Sequence, residues 1–169
     1  MSSARFVAID TCVLIDLALD DQDTIDAIET IRQRLKPSAF LVTPTVLQEL
    51  SRAEFEEPQI AEAADRALRC MLSWDLQPVN LIPVGNGLVQ EFAFRLRRAG
   101  IIPEEEVNDS EIAIEAALLG CQILLSADSH LRNANADPRF REMLKEFEVE
   151  GDELLIADPK SIVRKFFPQ

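Results

Sequence analysis

The sequence predicts an α/β protein, a three-layer α/β/α sandwich around a central, mainly parallel sheet of about five strands. Three observations carry this. Short apolar runs rich in β-formers recur at residues 6–9, 40–43, 79–84, 123–125 and 154–157. Helical periodicity fills the intervals, as parallel βαβ units with right-handed crossovers require. The 169 residues suit one domain with a sizeable core and are too few for two, so residues 1–169 read as a single domain.

Hydrophobic residues make up 47% and charged residues 28%, ordinary for a globular chain. No apolar run approaches the ~18–20 residues of a membrane span, and the N-terminus lacks a signal-peptide pattern. Cys12, Cys70 and Cys121 are odd in number and widely spaced, which fits neither a disulfide framework nor a zinc signature. Together these features point to a reducing cytoplasm without membrane attachment. The net charge of −13 is unusual for a nucleic-acid binder, whose surface is ordinarily basic. A chain this acidic binds cations, meets a basic partner, or simply stays dispersed.

The first run, Phe6 to Ile9, reads as a buried central strand that ends at Asp10. Residues 13–19 and 24–35 read as helices around the turn Asp20-Asp21-Gln22-Asp23. That turn lacks EF-hand ligand spacing, and Asp23 suits the N-cap of the second helix. After the second strand, Thr43 and Pro44 open a helix as cap and first position. Val46, Glu49 and Leu50 share one of its faces, which turns Glu49 toward the apolar side. Residues 58–74 form a long amphipathic helix. The run 79–84, interrupted by Asn80 and Pro83, is placed near a sheet edge. Gly85-Asn86-Gly87 reads as a turn, and residues 88–99 as a helix stopped by Gly100. Arg95, Arg97 and Arg98 at its end are either a solvated helix terminus or a phosphate-backbone contact.

Asn108 or Asp109 opens a further helix that Gly120 closes. Asp109, Ile112, Ala113 and Ala116 share its packed face, whereas Glu111 and Glu115 form an i, i+4 pair on another face and read as solvated. The strand at 123–125 ends in Ser126-Ala127-Asp128, much as the first strand ends in Asp10. His130, the single histidine, reads as a surface residue. Phe140, Met143, Leu144 and Phe147 mark another amphipathic helix. Asp158-Pro159 caps a last one that runs through Phe166-Phe167.

Taken singly, Glu49 reads as a helix-edge residue paired with Arg52, and Asp109 as a helix cap. Four acids at equivalent sheet edges say more. Asp10, Glu49, Asp109 and Asp128 converge on the crevice beyond the strand ends, where open α/β sheets bind ligands. Four carboxylates in one crevice repel unless metal neutralises them or protons remain bound. Oxygen-only ligands suit Mg²⁺ or Mn²⁺. Such a site activates water and stabilises charge on a phosphodiester, so hydrolysis of a nucleic-acid backbone is the natural reaction. Ser126 offers a hydroxyl to a carboxylate or to bound water.

The stretches Val-Ala-Ile-Asp-Thr-Cys-Val-Leu-Ile-Asp from Val7, Thr-Pro-Thr-Val-Leu-Gln-Glu-Leu from Thr43, and Val-Asn-Asp-Ser-Glu-Ile-Ala-Ile-Glu through Leu-Leu-Ser-Ala-Asp from Val107 resemble, in order, the motifs of the PIN-domain family. The resemblance spans nearly the whole chain. It implies a metal-dependent endoribonuclease whose acids fall on Asp10, Glu49, Asp109 and Asp128 and whose hydroxyl falls on Ser126. It also implies an RNA substrate and, because many members are dimeric toxins silenced by a small antitoxin, a homodimer and an antitoxin partner. This chain is longer than the compact toxins, mainly around residues 54–100. Two other classes stand beside the nuclease. One is a non-catalytic or weakly catalytic scaffold of the same fold, favoured by the −13 charge. The other is a haloacid-dehalogenase-like phosphatase, opposed by Cys12 where that class expects a second Asp.

Overall fold

The computed structural model describes residues 4–52, 55–80, 83–147, 149 and 153–166. Five strands form one all-parallel sheet: β1 (Phe6–Ile9), β2 (Ala39–Val42), β3 (Leu76–Pro78), β4 (Cys121–Leu125) and β5 (Leu155–Ala157), in the order β3-β2-β1-β4-β5. The helices between them are α1 (Thr11–Ala18), α2 (Gln22–Arg34), α3 (Pro44–Ser51), α4 (Pro58–Cys70), α5 (Pro83–Arg98), α6 (Val107–Leu118), α7 (Ser129–Ala136), α8 (Pro138–Glu146) and α9 (Pro159–Phe166).

Right-handed crossovers of this order put helices on both faces of the sheet. The chain moves outward from β1 to β3, returns past β1 to β4, and ends at β5. Helix α1 accordingly packs on α2 and α4, and α9 returns to α2. On the other side α5 packs on α6, α6 on α7, and α7 on α8. This is the expected three-layer α/β fold. Strand β1 is central and covered on both faces, with Val7, Ala8 and Ile9 all buried. Ile9, Leu14, Ile112, Leu124, Leu125 and Phe140 are among the largest fully buried side chains, and each stabilises the fold by roughly 1.5–3 kcal/mol.

Several sequence expectations shift. The third strand lies at Leu76–Pro78, not at 79–84; residues 81 and 82 lie outside the described part, and Pro83 already opens α5. A short apolar run cannot be assigned by periodicity alone. Here Asp75, with φ 59, turns the chain into the strand early. Gly85, Asn86 and Gly87 form no turn but the third to fifth residues of α5, where burial of Val89, Ala93 and Leu96 along one face overrides the weak propensity of glycine. The long helix stops at Cys70 rather than residue 74. Asp21, not Asp23, caps α2, its carboxylate accepting from Thr24 N at 2.9 Å and from Thr24 Oγ1 at 2.8 Å. Helix α6 begins at Val107, which leaves Asp109 inside the first turn. Glu54 and Phe167 lie outside the described residues.

Candidate functional site

The strand order reverses between β1 and β4, and the crevice beyond their C-terminal ends is the site such sheets use. The parallel ladder runs up to its rim. Asp10 N donates to Leu125 O at 3.0 Å, and Ser126 N donates to Ala157 O at 2.9 Å. Asp10 and Ser126 thus leave neighbouring strands side by side.

Asp10 is 4% exposed. Its Oδ1 accepts from Thr11 N at 2.7 Å as the cap of α1, and its Oδ2 accepts from Ser126 Oγ at 2.6 Å and from the Cys12 thiol at 3.4 Å. Burial pushes the Asp10 pKa up, the bonds from Ser126, Thr11 and Cys12 oppose this, and the Glu49 charge adds to it; the net direction is upward. Burial and the Asp10 charge likewise raise the Cys12 thiol, which keeps it a neutral donor. Asp128 caps α7, with Oδ1 accepting from His130 N at 2.7 Å and Leu131 N at 3.1 Å. Its own N–H donates to Ser126 Oγ at 3.1 Å. Ser126 therefore joins two of the acids rather than standing free.

Glu49 is held from both sides. Thr11 Oγ1 donates to its Oε2, and Asn108 Nδ2 donates to its Oε1 at 2.9 Å. It makes no pair with Arg52 among the described residues. Thr11 was not singled out in the sequence, and Asn108 only as a possible opener of its helix; the signal available for a site role was only their position beside two of the acids.

Asp109 differs from the other three. It does not cap α6, and its buried Oδ2 has no hydrogen-bond partner. Burial, followed by the charges of Asp128, Asp10, Glu106 and Glu49, pushes its pKa up to about 8. Asp109 is thus within electrostatic reach of Asp10, Glu49 and Asp128. Among the described residues, no three His, Cys, Asp or Glu side chains are close enough together to hold an ion as they stand. Carboxylates that repel one another favour separation or protonation when nothing neutralises them. The donors are all oxygens, the type that hard divalent cations take.

His130 sits at the rim with Nε2 3.6 Å from Glu106 Oε1. The arginines at the end of α5 are partly engaged in the body of the protein. Arg95 pairs with Glu91 and lies over the Phe147 ring, and Arg97 donates to Ser110.

The expectation of a solvated Glu111–Glu115 pair is corrected. Glu115 is 3% exposed and ties α6 to the start of α3, accepting from Thr45 Oγ1 at 2.8 Å and from Thr45 N at 3.2 Å. Burial raises its pKa, while the Thr45 hydroxyl and N–H draw it back. Helix α3 leaves free N–H groups at its start, and Glu115 supplies the acceptor from another helix.

A solved structure shares this fold. It is described as VapBC2 from Rickettsia felis bound to a DNA fragment from their promoter. The match has a TM-score of 0.58 and 14% identity, and covers 90% of this chain and 98% of that one. At that identity the likeness is one of fold. No family model matches the chain, and no curated protein does. No helix among the described residues is long and apolar enough to cross a membrane.

Proposed function

We propose that this chain is a divalent-metal-dependent endoribonuclease of the PIN-domain type, hydrolysing RNA phosphodiester bonds in the acidic crevice. The observation that carries the reading is Asp109: a buried carboxylate oxygen without a partner, under the charges of four other acids where a parallel sheet reverses order. A group left this way calls for a cation or a proton. The oxygen donors of Asp10, Glu49, Asp109 and Asp128 fit Mg²⁺ or Mn²⁺. Such an ion supplies activation of water and stabilisation of charge on the phosphoryl oxygens.

The chain's own residues prepare the site. Thr11 N–H and the Ser126 hydroxyl fix the Asp10 carboxylate, Thr11 and Asn108 fix Glu49, and the α7 N–H groups fix Asp128. Of the four, Asp109 is the one with a buried oxygen that lacks a partner, and its raised pKa of about 8 favours a bound proton near neutral pH. The starts of α1 and α7 direct positive dipole ends at the same crevice, easing the crowding of negative charge. The order of motifs and the likeness of fold to VapBC2 support the toxin of a toxin–antitoxin pair, working in the cytoplasm, with an antitoxin and a second copy as partners.

The test is cleavage of a mixed panel of structured and single-stranded RNAs with Mn²⁺, Mg²⁺ or EDTA, beside Asp10→Asn/Asp109→Asn. Metal-dependent cutting by wild type alone is expected. Metal binding without cutting would point to a narrow substrate or a missing partner, and neither cutting nor metal binding would favour the scaffold reading, which the −13 net charge supports.

A further inference from the structure

Helices α3 and α6 each present neighbouring residues to two different places. Glu49 and Asp109 belong to the acidic crevice. The residues just before them, Gln48 and Asn108, line a separate cavity of about 540 Å³ walled on its far side by α5. Asn108 connects the two places, because its Nδ2 donates to Glu49.

The cavity is polar. Amides of Gln48, Asn86, Gln90 and Asn108 line it, together with the carboxylates of Glu111 and Glu115. Glu115 is committed to Thr45. Thr45 Oγ1 lies 2.8 Å from Glu115 and 3.3 Å from Glu111 Oε2. A hydroxyl has one proton, and the nearer carboxylate takes it. Glu111 therefore keeps its acceptor capacity for a ligand. Arg52 lines the cavity too, so a carboxylate acceptor at Glu111 faces guanidinium and amide N–H donors, a lining suited to a neutral group that carries both donors and acceptors on its edges.

We propose that this cavity is a base-recognition subsite that takes a guanine of the RNA strand lying in the adjacent crevice. The proposal rests on the ribonuclease reading for its substrate class. Guanine presents two neighbouring N–H donors, N1–H and the 2-amino group, on its Watson–Crick edge, which match the two oxygens of a carboxylate such as Glu111. Its O6 and N7 accept from amide N–H groups of the Asn and Gln side chains. Single-stranded bases are read in this way, unstacked and hydrogen-bonded on their edges. Adenine and uracil lack the paired donors.

The test uses nucleosides, which contain no phosphodiester and cannot be cleaved. Side-chain amide signals of ¹⁵N-labelled protein are followed by NMR on titration with guanosine, inosine and adenosine. Guanosine is expected to shift the Gln48 and Gln90 amides saturably. Inosine, lacking the 2-amino group, binds at least about tenfold more weakly, the worth of a hydrogen bond to a charged group, and adenosine leaves the signals in place. Glu111→Gln removes the difference between guanosine and inosine while the rest of the spectrum holds. Equal responses to guanosine and adenosine, or no response, overturn the subsite. A guanosine response in a protein that cuts no RNA would sink the ribonuclease reading and leave the subsite standing. RNA cutting without a guanosine response would do the reverse.

Discussion

Helix α6 carries two inward-turned carboxylates under opposite conditions. Glu115 is the more buried, yet every demand it makes is met by Thr45 from the start of α3. Asp109 is less buried, yet one of its oxygens has no partner and four other carboxyl groups act on it. The same chemistry, two turns apart on one helix, serves architecture in one place and stores an unmet need in the other. Burial of an acid therefore says little about function; what separates the two is whether the protein supplies donors.

The sharpest way to break this contrast is to neutralise the unmet acid. Asp109→Asn and Asp10→Asn are each expected to lower metal-dependent RNA cleavage at least about a hundredfold, by removing charge stabilisation worth ~2.7 kcal/mol or more, while the circular dichroism spectrum stays that of the wild type. Retained cleavage in either variant would remove that residue from the site. Glu115→Ala should show the opposite profile. It leaves the Thr45 N–H buried without an acceptor, at ~1–3 kcal/mol, while the Thr45 hydroxyl still has Glu111 Oε2 at 3.3 Å, and denaturant unfolding should read a loss of that order.

Proton binding sharpens the comparison further. The folded chain holds the Asp109 proton from the ordinary value of 3.8 up to about 8. Over that window it binds more protons than the unfolded chain, so stability falls as pH rises and levels off above about 8. Melting temperature in EDTA, wild type minus Asp109→Asn, should follow that slope, and Mn²⁺ should flatten it. An unchanged difference across pH 4–9 would contradict the raised pKa. The smallest effect is expected at Asp21→Ala, which removes the cap of α2 and no hydrogen bond to any of the four acids. About 1 kcal/mol of stability is lost, and cleavage per folded molecule is unchanged.

Alternation of apolar strands with helices was enough to read the layers and the parallel sheet, because a strand buried on both faces leaves a strong local pattern. The positions of Asp10 and Asp128 were legible for the same reason: Asp10 directly follows β1, and Asp128 lies three residues beyond the end of β4. Strand β3 was not, since only Leu76 of its three residues is buried, and a more apolar run lies just downstream. Glu115 was misread because i, i+4 spacing says which side chains share a face but not what that face meets. Its partner, Thr45, is 70 residues away, in another helix. The site roles of Thr11 and Asn108 escaped notice for a similar reason: their hold on Glu49 exists only once three elements meet.

Asp10 and Asp128 each hold the first turn of a helix, whereas the free oxygen of Asp109 holds nothing. This sets how the chain's descendants would drift. If the ribonuclease proposal holds, a lineage that lost the activity would still be selected to keep Asp10 and Asp128, because folding uses them. It would be free to replace Asp109, and relief of its strained ionisation would even favour the change. Among relatives, the acids at the strand ends would therefore track the fold, and the acid on α6 would be the position that tells living enzymes from retired ones.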